Sequence, residues 1–284
     1  MTSIRLARPG DTSVCGRICY EAFRDISTHH NFPPDIPSAE AAAGLLRGLF
    51  SHPRFYCVVA EIKGFIAGSN CLDERSVVSG VGPITVDPGV QNTGVGRSLM
   101  QAVLDRARER QAPGIRLVQA AFHNRSLSLY TSLGFDVREP LSCMQGPPIG
   151  REIPGCEVRP ARTEDLEQCN RVCRSVHGHD RAGELEDAIS HGAARVVERW
   201  GCVTGYSTQT AFFGHSVGET LTDLQALIAA AESFGGPGIL VPTRNAALFR
   251  WCLENGLRVV QPLTLMSLGL YNEPAGAWLP SISF

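Results

Sequence analysis

From residue 94 to 112 apolar side chains recur at helical spacing, with Val95, Leu99, Val103, Leu104 and Ala107 on one face and arginines turned away. Around this helix the pattern changes to that of strands. "FYCVVAEI" and "FIAGSNCLDER" read as neighbours turning at Lys63-Gly64, and "SGVGPITVD" reads as a third strand. "IRLVQAAF" predicts a buried strand, residues 124–133 a short helix, and "FDVREPLSCM" a last strand. With the segment before residue 55, the first half runs strand, two helices, three strands, helix, strand, helix, strand. The fold class is mixed α/β, an antiparallel meander feeding a parallel crossover.

The chain then repeats itself. "IRLARPGDTSVCGRICYEAF" finds a partner in "CEVRPARTEDLEQCNRVCRSV", each with strand-like residues, an Arg-Pro step, an acidic cap and a helix with cysteines at i and i+4. "SLSLYTSLGFDV" pairs with "LFRWCLENGLRV", a helix stopping at Gly134 or Gly256 and passing into a strand. Two related domains are expected, residues 1–147 and 155–284, joined across the proline- and glycine-rich "MQGPPIGREIPGC".

Composition narrows the function. With 284 residues, 43% hydrophobic and 19% charged, the chain can bury two cores. A formal net charge of -2 excludes a dominant phosphate-binding surface, so no nucleic-acid partner is expected. Lys63 is the only lysine among 26 basic residues, which reflects base composition rather than an anion site. The cysteine pairs 15/19 and 169/173 lie inside helical patterns, not metal knuckles, and are expected as reduced thiols. "MTSIRLARPGD" has no apolar core of signal-peptide length, and no apolar run approaches about 18 residues. A cytoplasmic protein without membrane contact, monomer or homodimer, is expected.

The richest local signal is "VDPGVQNTGVGRSLM", where loop glycines separate a strand from a helix and let backbone N–H groups converge on an anion. The Walker pattern fails because Val95 follows Gly94 where a lysine is required, and the dinucleotide fingerprint fails at its third glycine. "VDPGVQNTGVG" instead resembles the V-x-P-x-x-[QR]-x-x-G-x-[GA] signature of the GCN5-related N-acetyltransferase (GNAT) superfamily, with Val86, Pro88, Gln91, Gly94 and Gly96 on its marked positions. "LYTSLGF" resembles that superfamily's closing motif. The resemblance covers residues 3–146 well and the second half in outline, and implies two tandem acyl-CoA N-acyltransferase (GNAT) folds.

It also implies acetyl-CoA as the acyl donor, held between two parting parallel strands, with no metal. The backbone of Ile84, Thr85 and Val86 would pair with the pantetheine arm. Gln91 belongs to the signature, and the amides of Asn92, Thr93, Gly94, Val95, Gly96 and Arg97 would wrap the pyrophosphate, with a further contact from the Ser98 hydroxyl. Tyr130 stands where the family places the phenol that protonates the leaving thiolate. At the position where relatives often carry a coenzyme-contacting Asn, this chain has His123, with Asn124 next, and either is a candidate. The expected activity is acetyl transfer to a primary amine, of a small molecule; a non-catalytic acyl-CoA sensor and a protein N-acetyltransferase are the alternatives.

Two features depart from the family pattern. "SGVGPITV" and "IRLVQAAF" hold no carboxylate, so a water relay or a residue such as Glu21, Asp25, Asp73 or Glu74 has to take the amine's proton. "DISTHHNFPPDIPS" falls where the family builds its acceptor pocket, with Phe23 and Phe32 as an apolar wall and His29 and His30 as lining or exposed rather than metal ligands. In the second half "GHSVGE" replaces "QNTGVG": Gly214 and Gly218 remain, Asn245 keeps the Asn position, and Cys252 stands in place of the phenol. Glu219 would repel a pyrophosphate. A degenerate domain that supports the first or completes its acceptor pocket is expected, with His215 and Glu219 as candidates for holding an acceptor amine. The terminal "YNEPAGAWLPSISF" is expected to dock on a domain.

Overall fold

The computed structural model describes residues 2–283. Its first half follows the predicted order: β1 (Thr2–Leu6), α1 (Thr12–His29), α2 (Ala39–Ser51), β2 (Phe55–Ile62), β3 (Phe65–Asp73), β4 (Ser79–Val81), β5 (Thr85–Val86), α3 (Val95–Glu109), β6 (Gly114–Ala120), α4 (Asn124–Ser132) and β7 (Asp136–Gln145). Local chemistry explains the joints. Ser38 caps α2 by accepting from the Ala41 amide at 3.2 Å. α1 and α2 touch at Gly16, where a Cβ would fall 2.6 Å from that of Ala43. β2 and β3 turn through left-handed Lys63 (φ 51) and Gly64 (φ 81), which matches the twist of a two-residue hairpin. The strand predicted over "SGVGPITVD" is broken into β4 and β5, since Gly82 takes φ 140 and Pro83 has no N–H for a ladder.

The second half repeats the plan as β8 (Glu157–Pro160), α5 (Leu166–His177), α6 (Ala182–Ser190), β9 (Arg195–Arg199), β10 (Cys202–Ser207), β11 (Ser216–Gly218), α7 (Leu221–Ala229), β12 (Ile239–Pro242), α8 (Ala246–Glu254), β13 (Arg258–Gly269) and β14 (Ala277–Leu279). The repeat extends to single ion pairs. Arg5 meets Asp11 at 2.7 Å and also Glu61; Arg159 meets Asp165 at 2.7 Å and also Glu198.

The halves are interlocked. One sheet runs β1-β2-β3-β4-β6-β13-β7-β12 with β5 on β3, and the other runs β14-β11-β10-β9-β8. β13 of the second half therefore lies between β6 and β7 of the first, antiparallel to both, with Leu263 opposite Ala120 on one side and Leu141 on the other. β7 in turn carries β12 on its far edge. The sequence break near residues 148–154 does not divide the sheet. One apolar core joins Leu141 and Cys143 of β7 and Leu263 and Leu265 of β13 to α5 and β9–β11, while a second gathers α3 onto β2, β3 and β6. No helix among the described residues is long and apolar enough to cross a membrane.

Candidate active site

β4 pairs with β6 in parallel only at Ser79–Ile115 and Gly80–Arg116, after which the chain turns and β5 pairs with β3 alone. β5 and β6 thus part. Gly68 of β3 allows the turn, because a Cβ there would lie 2.3 Å from the Thr85 carbonyl oxygen. The Asp87 amide donates to Ala67 at 2.9 Å, so by alternation the N–H and C=O of Val86 face away from β3. Gln91 Nε2 donates to that carbonyl at 3.3 Å, leaving the Val86 N–H toward the opening.

The glycine loop closes one end. Asn92 (φ 64) and Gly94 (φ 91) are left-handed, and Gly94, as the residue preceding α3, brings no side chain to cap its first amides. The positive end of α3 is thereby presented to the groove. Of the residues predicted to hold the cofactor, Ile84, Val86, Gln91, Asn92, Gly94, Val95, Gly96, Arg97 and His123 line this groove, as does Tyr130. Four others do not. Thr85 is buried and borders the neighbouring cavity, Thr93 donates to Val90 at 2.7 Å, Ser98 folds back on Gly94 at 3.2 Å, and Asn124 opens α4 with its carbonyl taken by Ser128 at 2.9 Å. Arg125, Ser126 and Leu129 also line the groove, and no sequence motif marks them.

α4 holds a short polar chain. Burial pushes the Tyr130 phenol up to about 12, against the opposing effect of a hydrogen bond with Ser126. Ser126 Oγ is also in hydrogen-bond contact with His123 Nδ1. Burial, with Arg125 and His30 adding to it, pushes His123 down to about 4, so the imidazole is neutral at pH 7. His123 faces the groove and the adjoining cavity.

That cavity lies under the segment between α1 and α2 and is mostly apolar, walled by Phe23, Ile26, Ile36, Leu45 and Leu117 of the first half and by Phe212, Phe213, Leu263 and Ile282 of the second. Phe32 does not join the wall but stacks on Phe122 at 4.3 Å. His29 and His30 pack edge to face at 5.0 Å, and no cluster of metal-ligating groups occurs among the described residues. Of the carboxylates proposed for the amine's proton, Glu21 pairs with Arg17 at 2.7 Å, Asp73 with Arg75, and Glu74 with Arg106 and Arg110, each at 2.7 Å. Only Asp25 reaches the cavity, in company with Asp35, which no motif marks because the strand that touches it is 226 residues distant.

Burial raises the Asp35 carboxyl above its usual range, and a hydrogen bond from Gln261 opposes this. A carboxyl whose folded pKa is raised destabilises the fold once ionised, so its cost is absent in acid and present at neutral pH. Asp35→Asn should therefore raise Tm by a few degrees at pH 7. The gain should vanish as pH falls below the ordinary carboxyl range, near about 4; thermal melts at the two pH values check this.

In the second half both openings are filled by the chain itself. β14 pairs antiparallel with β11, Ser216 opposite Leu279 and Gly218 opposite Ala277, in the slot that corresponds to the parted strands of the first half. The terminal segment thus docks on β11, and beyond it the Ile282 amide donates to Phe212 at 2.8 Å. α7 begins at Thr220, whose amide donates to Asp223 at 2.8 Å, and the fully buried Asp223 also accepts from Arg199 at 2.7 Å and Thr204 at 2.6 Å. A carboxylate of the protein therefore sits where α3 leaves room for an anion. The structure corrects the expectation for His215: it is fully buried between Tyr206 (2.9 Å) and Glu184 (3.3 Å) and cannot receive an acceptor. Glu219 is exposed, Asn245 caps α8 through Leu248 at 3.1 Å, and Cys252 is buried.

A mixed sheet that parts beside an uncapped helix in the first half, its plan repeated but filled by the chain itself in the second, is similar in fold to tandem GNAT proteins. Full-length structural likeness agrees. A candidate acetyltransferase from Pyrococcus horikoshii superposes with a TM-score of 0.75 at 19% identity, covering 97% of this chain and 91% of the other. A GCN5-related N-acetyltransferase from Sphaerobacter thermophilus gives 0.63 at 18% identity, covering 96% of each. A tandem GNAT protein from the clavulanic acid biosynthesis pathway gives 0.57 at 12% identity, covering 98% and 99%. No curated protein sequence matches the chain. The sequence model of the acetyltransferase (GNAT) family matches residues 19–135.

Proposed function

We propose that the protein is an acetyl-CoA-dependent N-acetyltransferase with one working site, in its first half, acting on the primary amine of a small molecule. The observation that carries this is a shared wall: Ile84, Gln91, His123, Arg125, Ser126 and Tyr130 border both the groove and the apolar cavity. A donor in one and an acceptor in the other would meet at the phenol.

The residues of the groove fit coenzyme A. The amides from Asn92 to Arg97 would receive the pyrophosphate at the positive end of α3, and the free edge of β5 the pantetheine arm. The thioester supplies an activated acyl carbon: a C–N bond forms to the amine as the C–S bond breaks, and sulfur leaves needing a proton. The Val86 N–H faces the opening and is placed to polarise the carbonyl. Tyr130 holds the proton for sulfur. Ser126, bonded to neutral His123 and one helical turn before Tyr130 on α4, would link the two, so that a proton released by the amine at the imidazole is matched by one passed through Ser126 back to the phenol. This relay supplies what the strands lack in carboxylates. The cavity walled by both halves favours a small acceptor over a protein one, and the retained phenol favours an enzyme over a sensor.

Thiol release from acetyl-CoA in the presence of a panel of small primary amines tests the proposal. Release that depends on an amine is expected; tight coenzyme A binding without any such release would favour the sensor.

A further inference from the structure

Buried carboxylates in this chain follow a rule. Asp11 meets Arg5 at 2.7 Å, Asp165 meets Arg159 at 2.7 Å, Glu184 meets Arg181 at 2.7 Å and Asp223 meets Arg199 at 2.7 Å. Asp73, Glu74 and Glu139 likewise each face arginine. Asp35, half-buried at the cavity, differs from them. Burial raises its carboxyl, it lines the acceptor cavity, and no Arg, Lys or His among the described residues forms an ion pair with it. Its hydrogen bond comes from Gln261 Nε2 of the exchanged strand β13, and Gln261 Oε1 has no partner. Also on the cavity wall, Gln119 of β6 is 6% exposed with neither Oε1 nor Nε2 bonded.

A carboxylate withdrawn from water into apolar surroundings is costly unless a cation offsets it. Seven others here are offset by the chain. For Asp35 the remaining source is whatever fills the cavity. Asp35 is absent from the wall shared with the cofactor groove, so its charge acts on the part of the acceptor away from the phenol. The same cavity wall carries the apolar side chains of Phe23, Ile36, Leu117 and Leu263.

Resting on the reading that this cavity takes the acceptor, we infer that the acceptor carries a second cationic group, an ammonium or guanidinium, on the far side of an apolar segment, and that Asp35 and Gln119 select for it. The reacting amine sits at the junction with Tyr130 and the second cation sits at Asp35. An amine with the same apolar body but no second cation leaves Asp35 unpaired and binds more weakly.

Calorimetric titration of α,ω-diaminoalkanes of four to ten carbons, each against the matched 1-aminoalkane, tests this with coenzyme A present and no acetyl donor. At the best chain length the wild-type protein should bind the diamine about tenfold more tightly than the monoamine, a difference of about 1.4 kcal/mol. Asp35→Asn keeps an acceptor for Gln261 and should abolish that preference while changing monoamine affinity less than about threefold. Equal or weaker binding of every diamine by the wild-type protein overturns the inference without any variant, as does a preference that survives in the Asn form. Binding requires no turnover: an Asp35-dependent diamine preference without thiol release from acetyl-CoA would uphold the inference and sink the proposed activity. Thiol release indifferent to the second amine, with no binding preference, would do the reverse.

Discussion

Tyr130→Phe should lower the rate of acetyl transfer by roughly ten- to ten-thousand-fold, the range over which a positioned proton donor acts. The ring is 6% exposed, 6.2 Å from Phe135 and part of the core beneath α3, and phenylalanine preserves all of that packing. What is lost is one hydroxyl and, in the proposed mechanism, the proton for the leaving sulfur. Since burial pushes the phenol up to about 12, the proposed donor is protonated at neutral pH. The loss should fall on kcat and kcat/KM alike, with coenzyme A affinity held, which is the signature of an interaction made only in the transition state. Steady-state rates and a coenzyme titration on the variant decide it; a rate equal to wild type would remove Tyr130 from the chemistry.

Residues 1–147 expressed alone should not form a cooperatively folded domain. Their sheet would lack β13, so β6 and β7 would each expose an unpaired edge where they now bond to residues 258–269. Leu263, Leu265 and Met266 are all buried, and each such side chain contributes about 1.5–3 kcal/mol by burial. Three of them account for much of the roughly 5–15 kcal/mol that holds a domain together. The fragment should show a broad thermal transition, dye-binding apolar surface, aggregation through its open edges, and no coenzyme A binding. A sharp melt together with retained coenzyme affinity would mean that the exchanged strand is dispensable to the first half.

The repeat, the order of elements in the first half and the glycine loop were legible because each rests on neighbours in sequence. Periodicity marks α3, turn residues mark the hairpin at Lys63-Gly64, and the loop's conformation is set by its own glycines. The strand exchange was not, since β13 has the same alternating and β-branched character whichever sheet receives it. Asp35 escaped notice for that reason: its partner Gln261 is brought in by the exchange. His215 invited a functional role as a histidine beside glycine, yet its place between Tyr206 and Glu184 depends on α6 and β10 folding over it. Ser126 carries no motif, and only the turn of α4 sets it between His123 and Tyr130.

The strand β14 fills the second slot as a permanently tethered competitor. A segment joined to its own receptor by a short connection acts at an effective concentration of millimolar order or above. Free coenzyme would have to exceed that level while also displacing Trp278 and Leu279 from the cores they complete. The stoichiometry of acyl-CoA uptake should accordingly stay at one per chain however high the nucleotide is raised.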